Sequence, residues 1–167
     1  TATPARRGGP RVFYTGPLMR ICVVSSELAP FHGWGVGSVI AEYVAGLLAA
    51  HHDVTVLADS MPGLERAPEL FHGITVELLQ APPGGRANLP PVPCQHTKRP
   101  LLVYECLSRL HAAKQFDAVL FNDFYGDAYF CTQARRWAPG LPGALPGAVI
   151  ATILQSPVTL LREVNQQ

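Results

Sequence analysis

The sequence predicts an α/β domain, in which an open, parallel β-sheet has helices on both faces. Short, continuous apolar runs alternate along the chain with segments whose apolar residues recur every three to four positions. The first pattern is typical of parallel strands covered on both faces, and the second of helices that bury one face. Of the 167 residues, 48% are hydrophobic and 15% are charged, which favours a folded chain with a core of its own. We expect one domain over residues 19–167, after a mostly irregular extension over residues 1–18.

The first half of the predicted domain holds three strands and one helix. Residues 20–25, 53–58 and 74–79 are apolar runs rich in β-branched side chains, and we assign them to the strands. His51 stands where the chain leaves the helix, at a position that favours a left-handed backbone. The apolar positions of the helix share one predicted buried stripe, formed by Val36, Val39, Ile40, Tyr43, Val44, Leu47 and Leu48.

The second half begins with a long predicted loop, residues 81–100, because Pro and Gly are concentrated there. Near the end of the chain, Ser156 and Pro157 carry a helix-start signal. Since strands alternate with helices throughout, we expect a Rossmann-like sheet with right-handed crossovers. The elements predicted after the loop are helices at 101–114, 127–137 and 157–165 and strands at 118–121 and 148–154.

Charge and cysteine usage argue against several classes of protein. The formal net charge is +1, which gives no electrostatic reason for a nucleic-acid partner or an anionic membrane. No apolar run has the length of a transmembrane segment, and the first residues lack the apolar centre of a secretory signal. The four cysteines are scattered without a C-x-x-C pair, so we expect reduced thiols, a cytoplasmic protein and no metal site.

Three segments are expected to meet at the carboxyl edge of the sheet, where open parallel sheets bind their ligands. They are residues 26–37, 122–126 and 155–156. The first of them ends in alternating glycines and leads into a helix. Backbone amides at such a helix start are available to a phosphate or a sugar hydroxyl. A turn that binds no ligand is the alternative.

The glycines themselves leave a second alternative open. Gly33, Gly35 and Gly37 lack a Cβ atom and so let another molecule approach the main chain. Together with Asp59 at the end of the second predicted strand, they resemble loosely the fingerprint of nicotinamide-dependent oxidoreductases. That fingerprint needs its first glycine directly after the strand, whereas residues 26–32 intervene here. The oxidoreductase is therefore the weaker hypothesis.

Three ordered blocks of sequence carry a family resemblance. The first is Ser25-Ser-Glu-Leu-Ala-Pro-Phe31 with the glycines after it, and the second is Phe116-Asp-Ala-Val-Leu-Phe-Asn-Asp-Phe-Tyr-Gly126. The third is Ala148-Val-Ile-Ala-Thr-Ile-Leu-Gln-Ser-Pro157, followed by Arg162-Glu-Val-Asn165. In this order they resemble the amino-terminal domain of GT-B glycosyltransferases, of the glycogen/starch-synthase type and of family 4.

This resemblance implies a retaining hexosyltransferase that moves a sugar from a nucleotide-sugar donor to an acceptor, without a bound metal or other cofactor. The family fold has a second Rossmann-like domain that holds most of the nucleotide-sugar, and we expect this chain to stop before it. The chain is then the acceptor-side domain, and we do not expect it to turn over alone. The alternative is a non-catalytic binding or interaction module that kept the fold and lost the chemistry.

The resemblance also implies roles for individual residues. Asp123 matches an acidic residue past the fourth strand that binds acceptor hydroxyls, and Asp127 is expected only to cap the next helix. Gln155 takes the position of the family's histidine beside the donor sugar, where an amide donates and accepts hydrogen bonds but is no general base. The residues expected to bind substrates are Gly33, Trp34, Gly35, Gly37, Asp123 and Gly126.

Overall fold

The computed structural model of the chain describes residues 16–32, 35–80 and 95–154. Most of the predicted extension, residues 81–94 of the predicted loop and the predicted helix at 157–165 lie outside the described residues.

The described residues contain five strands, β1 (Arg20–Ser25), β2 (Asp53–Ala58), β3 (Thr75–Leu78), β4 (Ala118–Asn122) and β5 (Val149–Ile153). All neighbouring strands are parallel and form one sheet in the order β3-β2-β1-β4-β5. In the centre of the sheet, Val23 of β1 stands opposite Val56 of β2 on one side and Leu120 of β4 on the other. The predicted open, parallel, Rossmann-like sheet is confirmed.

Four α-helices accompany these strands, α1 (Val36–Ala49), α2 (Ala67–Leu70), α3 (Gln95–Lys114) and α4 (Tyr129–Trp137), with 3-10 turns at Leu64–Arg66, Phe124–Gly126 and Pro142–Ala144. Helix α2 and the 3-10 turns are too short to show a periodic pattern, and the sequence did not predict them. Beyond α1, His51 has a left-handed backbone with φ of 64°, as predicted.

The core forms one layer on each face of the sheet, because successive side chains of a strand point to opposite faces. On one face, Val23 packs in the layer that contains Ile40 of α1, and the same layer includes α2. On the other face, Val24 packs in the layer that contains Leu107 of α3, and this layer includes α4. The helices therefore cover both faces, as predicted.

Two predictions about the helices need correction. Tyr43 was placed in the buried stripe of α1, but 47% of it is exposed, because the stripe is centred on Ile40 and Val44 and Tyr43 lies at its edge. Helix α3 begins at Gln95, within the segment predicted to be a loop, and it contains Pro100. A proline inside a helix interrupts its hydrogen bonding. Packing of α3 on the sheet outweighs this local preference.

Candidate functional site

The strand order creates a crevice between the loops that follow β1 and β4. The chain passes from β1 to β2 on one side of the sheet, whereas β4 and β5 lie on the other side of β1. The connections after β1 and β4 therefore leave the carboxyl edge in opposite directions. Open α/β sheets bind ligands at such a point, where the strand order reverses. Asn122, at the end of β4, is buried at this edge, and Asp123 is the next residue.

The loop after β1 is held in place by its own polar groups. The Ser25 hydroxyl donates a hydrogen bond to the Glu27 carbonyl oxygen at 2.7 Å and accepts one from the Glu27 N–H at 3.2 Å. The Glu27 carboxylate in turn accepts a hydrogen bond from the Gly37 N–H at 3.2 Å, in the first turn of α1. A carboxylate at this position satisfies an amide that lacks a partner within the helix and lies favourably near the positive end of the helix dipole.

The two described glycines of this loop differ in their surroundings. A Cβ atom on Gly35 would have no other atom within 4 Å, so the main chain there is open to approach. A Cβ atom on Gly37 would clash with the backbone carbonyl oxygen of His32 and lie 3.2 Å from the backbone nitrogen of Ala29. Gly37 is therefore required for packing, and its N–H already has an acceptor in Glu27. Whether Gly35 and Gly37 contact a ligand stays a prediction.

Asp123 lies where the sequence placed it, one residue beyond β4. Its N–H donates a hydrogen bond to the Ile153 carbonyl oxygen at the end of β5, at 3.2 Å, so the backbone here is fixed by the neighbouring strand. Tyr125 and Gly126 follow with left-handed backbones, at φ of 64° and 67°. A non-glycine residue in this region costs on the order of 1–3 kcal/mol and is common at functional sites. The acceptor-binding role of Asp123 and the close approach at Gly126 stay predictions.

The structure contradicts the prediction that Asp127 caps the following helix. Helix α4 begins at Tyr129, its N-cap position is Ala128, and no side chain caps it. Asp127 is instead only 1% exposed, and its carboxylate accepts hydrogen bonds from Arg99 at 2.9 and 3.0 Å. A bidentate, charge-assisted pair with an arginine is stronger than a capping hydrogen bond from a neutral backbone amide. Asp127 therefore pairs with Arg99 and does not cap α4.

Arg99 also binds a second carboxylate, that of Asp59. Asp59 follows β2 and Asp127 lies beyond β4, and these two strands flank β1 on either side. The guanidinium therefore connects the carboxyl ends of both neighbours of the central strand. The sequence did not predict this role of Arg99, because an arginine in a segment predicted to be a loop carries no signal that links it to distant carboxylates.

The electrostatics of this ion triad follow from its burial. Burial lowers the pKa of the Arg99 guanidinium, but the hydrogen bonds and charges of Asp59 and Asp127 outweigh that effect and raise the pKa overall. Burial raises the pKa of Asp127, and the positive charge of Arg99 opposes this only in part. Two carboxylates face one guanidinium, so the cluster has no spare positive charge to offer an anion.

A cavity of about 370 Å³ lies beside the triad, between the first turns of α3 and α4. Arg99 supports one of its walls, since the guanidinium carbon lies 5.3 Å from the centroid of the Tyr125 ring. The cavity is lined by Thr97, Pro100, Tyr125, Gly126, Tyr129 and Phe130. Another cavity, of about 440 Å³, lies at the opposite, amino edge of the sheet beside Arg20 and Asp117, far from the crevice.

Three of the predicted site residues, Gly33, Trp34 and Gln155, lie outside the described residues. Within the part that the structure describes, no group of three or more His, Cys, Asp or Glu residues is placed to hold a metal ion. In the same residues, no helix combines the length and apolar character needed to cross a membrane.

Comparison with known proteins identifies similar folds. A glycosyltransferase from Rickettsia africae ESF-5 matches with a TM-score of 0.50 and 13% sequence identity, over 91% of this chain and 34% of that chain. The chain therefore shares its fold with part of a glycosyltransferase. The glycotransferase of kitacinnamycin matches with a TM-score of 0.42 and 19% identity, over 89% of this chain and 34% of that one. The chain thus spans about a third of the length of each structure. No family model and no curated protein matches the sequence.

Proposed function

We propose that the chain is the amino-terminal, acceptor-side domain of a retaining GT-B glycosyltransferase. The observation that carries this proposal is the β3-β2-β1-β4-β5 parallel sheet, which is similar in fold to part of the Rickettsia africae glycosyltransferase. The three sequence blocks that resemble the family support it further, because the first two include the carboxyl ends of β1 and β4 and the residues that follow them. In this proposal the nucleotide-sugar binds mainly to a second domain, and the protein works in the cytoplasm.

Each proposed role follows from the position of the residue and the chemistry of its side chain. The Asp123 carboxylate accepts hydrogen bonds from acceptor hydroxyls beside the crevice, and Gly126 lets the sugar approach the main chain. The amides around Gly35 contact donor phosphate or acceptor. Gln155 donates a hydrogen bond to the donor sugar but takes up no proton. The proton of the attacking hydroxyl then passes to the leaving phosphate, as is usually proposed for retaining enzymes of the family.

The test is an assay of nucleoside diphosphate release with UDP-, ADP- and GDP-hexoses, on the whole parent protein and on the 167-residue chain. We expect release by the parent only, and an anomeric configuration in the product that matches the donor. Asp123→Ala in the parent should lower kcat/KM by about tenfold or more, which corresponds to about 1.4 kcal/mol of lost binding in the transition state. Asp53→Ala, an exposed aspartate at the amino edge, is the matched control and should have no effect.

Three outcomes would contradict this proposal. An inverted product excludes a retaining enzyme, and turnover by the isolated chain excludes the need for a second domain. Equal activity of Asp123→Ala and Asp53→Ala removes Asp123 from the site.

The second candidate is a non-catalytic binding module with the same fold. The observation that favours it is Gln155, which stands where the resemblance places a histidine. If the parent protein binds a nucleotide-sugar or a saccharide but releases no nucleoside diphosphate from any donor, this candidate replaces the transferase.

A further inference from the structure

The cavity between α3 and α4 is lined by aromatic rings that are exposed to solvent. Tyr125 and Tyr129 are 48% and 56% exposed, and the Tyr129 ring meets the Phe130 ring edge-on with centroids 5.1 Å apart. Solvent-exposed aromatic rings that cluster around a concavity mark ligand sites more often than isolated apolar residues do. The volume of about 370 Å³ lies within the range of small-molecule pockets.

One wall of this cavity is held rigidly. The Tyr125 ring lies over Arg99, and the guanidinium is itself fixed by Asp59 and by Asp127. The left-handed backbone at Tyr125 persists against its local cost because these contacts define the position of the side chain. A wall that is ordered before binding loses little conformational entropy when a ligand stacks on it.

The chemistry of the lining selects the class of ligand. None of the six lining residues carries a charge, and the nearby guanidinium is bound by two carboxylates. Among the described residues that line the cavity, a phosphate or carboxylate therefore finds no cation, whereas hydroxyl groups find the phenol of Tyr129 and the hydroxyl of Thr97. Aromatic rings beside polar hydroxyls suit a molecule with an apolar face and a hydroxylated rim.

We propose that this cavity binds one ring of a neutral saccharide, stacked on Tyr129 and enclosed by Tyr125. The cavity suits neutral molecules with an apolar face in general, and we infer a saccharide among them because of the proposed function. Tyr125 lies two residues after Asp123, so the cavity extends the acceptor side of the crevice along the same loop. It thus holds a sugar unit of the acceptor chain next to the unit that reacts.

The experiment is saturation-transfer difference NMR on the 167-residue chain with maltotriose and, separately, cellotriose. The wild-type chain should bind at least one trisaccharide with a Kd of about 1 mM. Tyr129→Ala should weaken this binding by about tenfold or more. Tyr43→Ala is the matched control, since Tyr43 is 47% exposed on α1, and it should bind as the wild type does. Circular dichroism of each variant checks that it is folded.

Several results would overturn the proposal. One is that neither trisaccharide binds at concentrations up to about 20 mM. A second is that Tyr129→Ala binds as tightly as the wild type, and a third is that adenosine binds whereas neither sugar does. The failure of this proposal is distinct from that of the proposed function. If saccharide binding depends on Tyr129 but the parent protein shows no turnover, the saccharide site stands and the transferase proposal fails. If the parent turns over but no such binding is found, the transferase proposal stands and the saccharide site fails.

Discussion

Arg99 contacts two partners that no local pattern in the sequence connects to it. Asp59 precedes it by 40 residues and Asp127 follows it by 28. Local rules treat Asp59 as the end of a strand and Asp127 as a helix cap, because neighbouring residues are all that such rules compare. The position of Asp123 was predictable, since it depends only on where β4 ends. The ion triad was not, since it depends on how α3 packs over the sheet.

The raised pKa of Asp127 makes its contribution to stability depend on pH. Between the usual aspartate pKa and the raised value, the folded state retains a proton that the unfolded state has released. The contribution of Asp127 to the free energy of unfolding therefore decreases as the pH rises through this window. We expect the free energy of unfolding of wild type, minus that of Asp127→Asn, to fall as the pH rises above the usual aspartate pKa of about 3.9.

Urea denaturation of both proteins across this range measures the difference. Asp53→Asn, at an exposed aspartate, is the control and should give a pH profile close to that of the wild type. A wild-type minus Asp127→Asn difference that grows with pH would mean that the pKa of Asp127 is lowered rather than raised.

At the scale of elements, the strands were easier to predict than the helix ends. The predicted bounds of β1 and β2 are confirmed to the residue, because five of the six side chains in each are buried and the sequence shows this as a continuous apolar run. Helix α3 was predicted to start at Leu101, because the Pro- and Gly-rich segment before it was assigned to a loop. In the structure, Arg99 anchors the preceding turn through its ion pairs, so the helix extends back to Gln95.

The first turn of α1 has no room for a side chain at Gly37. Gly37→Ala places a methyl group against the His32 carbonyl oxygen, in backbone that is fixed by the hydrogen bond from the Ala29 N–H to the Gly37 oxygen. We expect this variant to lose about 1–3 kcal/mol of unfolding free energy, as overpacked sites do. Gly46→Ala, in the middle of α1 where the added atom meets nothing, is the matched control and should lose no stability, since alanine is the better helix former.

Chemical denaturation measures both values, and equal stability of the two variants would contradict the clash. A second effect is expected for Gly35→Val, which should block the approach of a ligand to the main chain, and circular dichroism checks that this variant is folded. Nucleotide-sugar turnover by the parent protein with this substitution tests that second effect. Unchanged turnover would remove Gly35 from the proposed site.

For the molecule as a whole, the alternation of strands and helices was enough to predict the fold. It did not predict the strand order, because that order depends on how the chain closes its two core layers. One of these layers contains all three cysteines of the described residues, Cys22, Cys106 and Cys131. Burial raises the pKa of Cys22 and of Cys131 to about 12, and burial also raises the pKa of Cys106.

These thiols should therefore report unfolding of the whole domain. The thiolate is the reactive form, so native thiols with raised pKa react slowly, and reaction needs the layer to open. In a Cys94→Ser variant, which removes the cysteine outside the described residues, we expect three thiols to react with an aromatic disulfide reagent at one common rate. That rate should rise with urea in step with the unfolding equilibrium. A single thiol that reacts much faster in native buffer would mean that part of the layer opens by itself.

Arg99 links the strands on either side of β1, so the support of the sheet at its carboxyl edge is separate from the loop that follows β1. Because the strands on both sides of β1 are linked through α3, the sheet has a support at this edge besides the loop that follows β1. Chains with this architecture can therefore change residues of that loop, and acquire new specificities, without first acquiring a new fold.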